Sequence, residues 1–315
     1  PVSAGWNIAR EAFWEPYTDV VNNLKFRGSW GELGNQNTTN LYPYYQLLKF
    51  AANDANSHWL LNGMKPNTAN APDLISTLLS WETMRSWNIG IDVGALQNRL
   101  TFSFDYFNRK TLDMVGPAPE LPVILGATVP KTNNADMESK GFELDIAWRD
   151  RIGKVDYGAH ILLSDDRQRV TRYSNPTGTL NTWYEGQYSG EIWGYVTHGI
   201  AKTDEEMQDW LANHKQSFGN SWAAGDIMYE DLNGDGEVNE GSNTITDSGD
   251  KKIIGNSSPR YKFGIDLDAS WNGFDIRMFF QGVAKRDYWL GDNMFWGASG
   301  GLWQSTCFTD HLDFF

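Results

Sequence analysis

The stretch GDIMYEDLNGDGEVNEGSNTITDSGDKKIIGNSSPRYKFGIDLDASWNGFDIRMFFQGVAKRDYW (225–289) carries the two patterns on which the fold turns. Between Asp226 and Asp250 it holds eight acids and no Lys or Arg. From Tyr261 onward it alternates. Tyr261, Phe263, Ile265, Leu267, Ala269 and Trp271 fall on one side, and Lys262, Gly264, Asp266, Asp268 and Ser270 on the other. Asn272-Gly273 is a strong two-residue hairpin signal. Beyond it Phe274, Ile276, Met278 and Phe280 oppose Asp275, Arg277 and Gln281, with Phe279 the exception. An acidic loop thus feeds a hairpin with one apolar and one polar face, as expected of a strand pair set between lipid and water.

The same alternation recurs at Asn22–Leu33, Met84–Ala95, Leu100–Phe107, Glu138–Arg149 and Val155–Leu163. Residues 8–13 read as a strand end or one helical turn, and 42–50 as a weak element. Most of these runs exceed the roughly five or six residues of an ordinary strand. They suit a tilted crossing of a bilayer, which takes about nine to eleven. The junctions at 96–99, 150–153 and 272–273 are short, whereas 34–83, 115–137 and 165–258 are long. Taken in order, every short turn falls at one end of the strands and every long loop at the other. That is the layout of an outer-membrane barrel. The expected class is therefore all-β, an antiparallel transmembrane β-barrel section with long extracellular loops, 165–258 the longest. Seven strands are an odd number and too few for a large barrel, so either the chain is part of a larger one or a strand has escaped notice.

Composition narrows the function. A net charge of −14 over 315 residues argues against a nucleic-acid binder, which would carry a basic face. Cys307 is the single cysteine, which excludes a disulfide framework and a thiolate zinc cluster within this chain. No apolar run is long enough for a membrane helix, a test that alternating barrel strands escape. The aromatic content, with 15 Trp, 13 Tyr and 16 Phe, fits a β core, sugar-stacking platforms or membrane girdles. His58, His160, His198, His214 and His311 show no ligand-like spacing, and no nucleophile elbow, Walker loop or dinucleotide fingerprint occurs. An enzyme is not expected.

Two candidate sites lie in the longest loop. Trp183, Tyr184, Trp193 and Trp222 offer flat faces for a sugar or peptide, or alternatively pin the loop to itself. Asp231, Asn233, Asp235 and Glu237 follow the order of a calcium loop, with Gly236 at the sharp turn and Val238 as apolar plug. Ser242 stands where a bidentate Glu or Asp belongs. Asp247 or Asp250 could supply that carboxylate if the intervening residues bulge out; Asp247 completes the candidate set. The competing reading is an Asx-rich turn that binds nothing. Thr203–His214 reads as a short helix capped by Thr203, with Glu206 three residues on.

KFRGSWGELGNQ (25–36), WETMRSWNIGIDVG (81–94), NRLTFSFDYFNRKTLDM (98–114), NNADMESKGFELDIAW (133–148), GEIWGYVTHGIAKTDEEM (190–207) and GDIMYEDLNGDGEV (225–238) together resemble SusC/RagA-like TonB-dependent transporters, as does 253–289. The resemblance spans nearly the whole chain in family order and is specific only in combination. It implies a 22-stranded outer-membrane barrel with an N-terminal plug, energised through TonB and capped by a SusD-like surface lipoprotein. Such a transporter takes up oligosaccharides or peptides. Residues 1–315 would be a late but not final barrel section, without plug, TonB contact or last strand. The sequence also lengthens the acidic loop after Val238 relative to the compact family form. The alternative of another class is a secreted, calcium-stabilised β-sandwich that binds carbohydrate. A sandwich packs Phe102, Phe104, Phe263, Ile265, Ile276 and Met278 inside; a barrel leaves them on one open surface.

Overall fold

Alternation at this length produces one sheet with two unlike faces. The computed structural model describes residues 1–36, 79–116, 129–219 and 221–291, with parts of 45–76 and residue 309. Its strands in chain order are β1 (Val2–Asn7), β2 (Val21–Asn35), β3 (Phe50–Ala51), β4 (Thr68–Ala69), β5 (Glu82–Ala95), β6 (Leu100–Val115), β7 (Asn133–Ile152) and β8 (Val155–Tyr173). There follow β9 (Glu191–Tyr195), β10 (Thr197–Ile200), β11 (Lys215–Gln216), β12 (Ile227–Tyr229), β13 (Glu237–Val238), β14 (Lys251–Asn256), β15 (Arg260–Trp271) and β16 (Phe274–Lys285). The helix α1 (Asp204–Leu211) and 3-10 turns at Ile8–Arg10 and Ala12–Tyr17 complete the described elements.

Eight strands form a single sheet in the order β1-β2-β5-β6-β7-β8-β15-β16, every neighbouring pair antiparallel. The seven expected crossings are present and β1 is the eighth. It is short, and it becomes a strand by lying along the edge of β2, which its own sequence does not announce. The sheet is open, since β1 and β16 are its two edges. Several strands outrun their apolar segments. β7 continues to Ile152, so the turn there is Gly153-Lys154 and not 150–153. β8 continues to Tyr173, so the long loop starts after it and not at 165. Polar and charged residues near the long-loop ends (Lys110, Glu138, Arg167, Arg169) carry the ladder past the apolar segment, because hydrogen bonding and not burial sustains it there. The weak element at 42–50 lies almost wholly outside the described residues.

Register joins like to like across the whole sheet. One row runs Leu24–Val93–Phe102–Ile146–Ile161–Ile265–Phe280, and the next Trp6–Phe26–Ile91–Phe104–Leu144–Leu163–Phe263. Aromatic side chains close this band at both ends. Trp148, Tyr157, Trp271 and Phe274 lie toward the short turns, and Trp30, Trp87, Tyr106 and Phe142 toward the long loops. On β15, Tyr261 and Trp271 are ten residues apart, about 33 Å of strand, or about 25 Å of height at the ~40° tilt of a barrel strand.

No second sheet covers the apolar face among the described residues. Ile276 and Met278 are 57% and 44% exposed, and Phe102, Phe104, Phe263 and Ile265 are half-buried with none enclosed. The buried hydrophobic residues are Ala95 at one strand end and a few beyond the band, such as Val170, Tyr173 and Met207. A sandwich would need a dry core between two sheets. That reading is set aside, because the apolar surface has no protein partner among the described residues and suits lipid.

Candidate functional site

The opposite face is polar and is wired by ion pairs that follow the register. Arg27, Gly90 and Asp105 are consecutive partners on β2, β5 and β6. Because Gly90 has no side chain, the Arg27 guanidinium crosses it to reach Asp105, with Nη1–Oδ1 at 2.6 Å. The same fork takes Asp92 at 3.0 Å and the Ser103 hydroxyl at 3.0 Å, while Ser103 donates to Asp92 at 2.9 Å. Further across, His160 Nε2 lies 3.0 Å from Asp145, Arg277 forks onto Asp266, and Lys262 meets Asp166 at 3.0 Å. The Arg27 cluster is only partly exposed, while Arg277 stands mostly in the open, and together these groups form an organised hydrophilic wall.

Between β8 and β15 the chain builds a compact unit at the long-loop end. β9 pairs with β14, β10 with β12, and β11 runs parallel to β13. α1 begins where the sequence indicates: the Thr203 hydroxyl accepts from the Glu206 N–H at 3.2 Å, and the Glu206 carboxylate accepts from the Lys202 N–H. Met207 on its inner side packs with Ala201 and Met228, flanked by Trp210 and Trp222.

All four aromatic candidates hold this unit together. Trp183 packs edge-on to Tyr173, 6.1 Å between ring centres, beside Ala135 and Val170. Tyr184 is buried and its hydroxyl donates to Glu191; burial, then that bond, pushes its pKa up to about 12. Trp193 adjoins Tyr184 and is opposite Ile253 in the β9–β14 ladder. Trp222 lies apart from these three, against the core of α1 and edge-on to Phe218. Glu191, which receives both the Tyr184 hydroxyl and the Tyr188 N–H, escapes sequence reading because nothing local distinguishes it from other acids.

The acidic loop closes around Asp231 and Asp250. Asp231 accepts from the Gly236 and Gly234 N–H groups at 2.7 and 2.6 Å, and chiefly the first holds its carboxyl below the usual range. Asn233 and Asp235 accept from the N–H two residues on, at 2.9 and 2.8 Å. Glu237 is drawn toward Ser217 and Lys215. Asp247 belongs to another turn, where the Ser242 hydroxyl and N–H, in that order, depress its pKa.

Asp250 is the carboxylate that reaches the Asp231 turn. It is fully buried and accepts from Leu232 at 2.7 Å and Asn239 at 2.8 Å. The excursion 241–249 allows this because its neck is two glycines at positive φ. A Cβ on Gly249 would meet the Asn239 carbonyl and the Gly241 nitrogen at 2.4 Å. The donor set is all hard oxygen and suits calcium in type. In this arrangement, however, no three Asp, Glu, His or Cys side chains among the described residues converge to metal distance. Backbone N–H groups occupy the carboxylates instead.

Comparison with known proteins agrees with this architecture. The family described as TonB dependent receptor-like, beta-barrel, matches residues 3–179. TonB-dependent receptor P3 of Formosa agariphila is 28% identical over 291 residues, covering 88% of this chain and 27% of its own. TonB-dependent receptor SusC of Bacteroides thetaiotaomicron is 26% identical over 281 residues, covering 87% of this chain and 26% of its own. The RagAB peptide transporter superposes with a TM-score of 0.62 at 21% identity, over 89% of this chain and 28% of that one. The chain therefore spans about a quarter of the length of the relatives it matches. An open antiparallel sheet with a lipid-demanding face, short turns at one end and a folded loop at the other is what a piece of such a barrel must look like, and the chain belongs to the TonB-dependent receptor-like β-barrel family of the outer membrane.

Proposed function

We propose that the chain forms part of the wall and external mouth of a TonB-dependent importer that takes up an oligosaccharide or a peptide. The polar face, with Arg27, Asp92, Asp105, Asp145, His160 and Asp266, lines the passage. The folded loop from 174 to 259 stands over its outer end, where a SusD-like surface lipoprotein would cap it. Trp183, Tyr184, Trp193 and Trp222 serve the substrate through the shape they give this loop. The work of opening comes from the inner membrane through TonB, which contacts another part of the protein. No bond of the substrate is broken.

The observation that carries this reading is the pairing of an unbroken apolar face with an ion-paired polar one, both ordered by the same register. The test is an uptake panel in cells lacking the gene, with labelled oligosaccharides and peptides. Loss of uptake of one class, restored by the intact gene, is expected; undiminished uptake of every probe would overturn it. We also propose that calcium binds the loop at Asp231, Asn233, Asp235 and the Glu237 carbonyl position, with Asp250 closer to them than Asp247. Calorimetric titration of the full-length protein should give heat that Asp231→Ala and Asp235→Ala abolish. Equal heats from parent and variants would leave the loop closed by hydrogen bonds alone.

A further inference from the structure

The apolar face does not end in neutral residues. On β6, β7 and β8 the row Phe104–Leu144–Leu163 is followed by Tyr106–Phe142–Asp165, then Asn108–Lys140–Arg167, then Lys110–Glu138–Arg169. Alternation keeps all of these on the face that meets lipid. The last row is extended by Tyr188, which bridges to Arg169 beyond the end of β15. Successive rows on one face are about 7 Å apart along the strand. The cations therefore stand about 14–20 Å along the strand from the last fully apolar row. At the ~40° tilt of a barrel strand they lie about 5–10 Å of height beyond the aromatic row Tyr106–Phe142, the level of the headgroups.

Here the side chains enclose a cleft of about 260 Å³. Tyr188 lies flat over Arg167, with the guanidinium carbon 3.9 Å from the ring centre, and this fixes the fork in place. Arg169 is held by the Gly186 carbonyl at 3.3 Å. Neither arginine has a carboxylate partner among the described residues. Lys140 is half exposed and shares Glu138 with Lys110, and Arg260 is taken by Asp165. The cations Lys110, Lys140, Arg167, Arg169 and Arg260 outnumber the acids Glu138 and Asp165, in a chain whose net charge is −14. Two guanidinium groups, each steadied by one neutral contact and neither in a direct ion pair among the described residues, stand beside an ammonium and suit phosphate oxygens.

We propose that this cleft binds the phosphate group of an anionic lipid in the outer leaflet, a phosphorylated glycolipid whose acyl chains lie against Phe104, Leu144 and Leu163. Arg167 and Arg169 grip the phosphate, Lys140 adds charge, and Tyr188 keeps Arg167 aimed outward. The inference rests on the barrel reading but not on what the barrel transports. A lipid seated here would tie β8 and the external loop to the membrane surface through Tyr188.

The test is native mass spectrometry of the full-length protein released from detergent after incubation with bis-phosphorylated lipid A. A phosphate-free analogue and inorganic phosphate form separate arms. The parent protein should retain the phosphorylated lipid and not the phosphate-free analogue. R167A/R169A should weaken retention by about tenfold or more, as loss of charge-assisted bidentate contacts predicts. Arg167→Lys should keep part of it, and Lys262→Gln, on the opposite face, should change nothing. Millimolar inorganic phosphate should not displace the lipid. Equal retention by parent and double variant, or equal retention of both lipids, would overturn the proposal. Insertion is checked separately by heat-modifiable mobility. A variant that fails to insert is replaced by R167Q/R169Q, and a parent that fails to insert counts against the barrel reading.

Discussion

Gly90 lies between Arg27 and Asp105 in register, and its missing side chain lets the fork cross a strand. A Cβ there would sit 2.5 Å from Asp105 Oδ1 and 2.9 Å from the Arg27 guanidinium carbon. Both atoms belong to side chains that can swing away, so the strand should survive and the ion pair should not. Gly90→Ala is expected to cost about 1–2 kcal/mol, the low range for overpacking. Equilibrium unfolding of the full-length protein in detergent or lipid measures it, and unchanged stability would contradict the packing described. The sequence places Arg27, Gly90 and Asp105 on polar positions of three strands. Nothing in it says that the three are aligned.

At the scale of elements, the turns store strain that can be removed. Leu96, Gln97 and Asn98 have φ of 53°, 60° and 63°, the left-handed region that costs a side-chain-bearing residue about 1 kcal/mol or more. Asn98 is engaged by Asn22 at 2.6 Å, but Gln97 is exposed and makes no such bond. Gln97→Gly should therefore stabilise the β5–β6 hairpin by about 0.5–1 kcal/mol after the entropy of the more flexible unfolded chain is counted. A lower unfolding midpoint for this variant would rule the account out. The acidic loop has a different dependence. Asp231 and Asp247 titrate below the ordinary Asp value because N–H and hydroxyl donors favour their charged forms. A depressed folded pKa contributes stability that is complete above the unfolded value and disappears as pH falls through the folded one. Amide protection in 231–250, corrected for intrinsic exchange, should stay level from pH 7 to about 4 and fall below that, while the sheet holds. A decline already between pH 7 and 5 would point to some other group.

For the whole molecule, the two faces of the sheet make opposite demands on neighbouring residues. Ile161 and Leu162 are adjacent in β8 and almost equally exposed, at 41% and 43%. Register puts Ile161 in the apolar row with Ile146 and Ile265, and Leu162 beside Asp145 and Gly264 on the polar face. Ile161→Arg should cost up to about 2–4 kcal/mol if it lies near the bilayer midplane, and Leu162→Arg little. Refolding into lipid vesicles followed by denaturant titration measures both. Similar penalties for the two would mean that the apolar face does not meet lipid.

Within the alternating segments of the seven long strands, the face to which a residue belongs was legible in the sequence, because side chains alternate along a strand and that rule is local; the polar extensions of β6, β7 and β8 were not. The ends of the sheet were legible too, from connections short on one side and long on the other. The hairpin at Asn272-Gly273 and the cap at Thr203 are likewise local chemistry. The tertiary structure decided what depends on register and closure between distant segments. β1 is a strand only because β2 offers it an edge. Asp250, not Asp247, meets the Asp231 turn because two glycines pinch the intervening excursion shut. The loop aromatics are anchors because the folded unit encloses them. Lys140, Arg167 and Tyr188 form one cleft because three separate segments align there. Periodicity assigns a side chain to a face, but only pairing assigns it a neighbour.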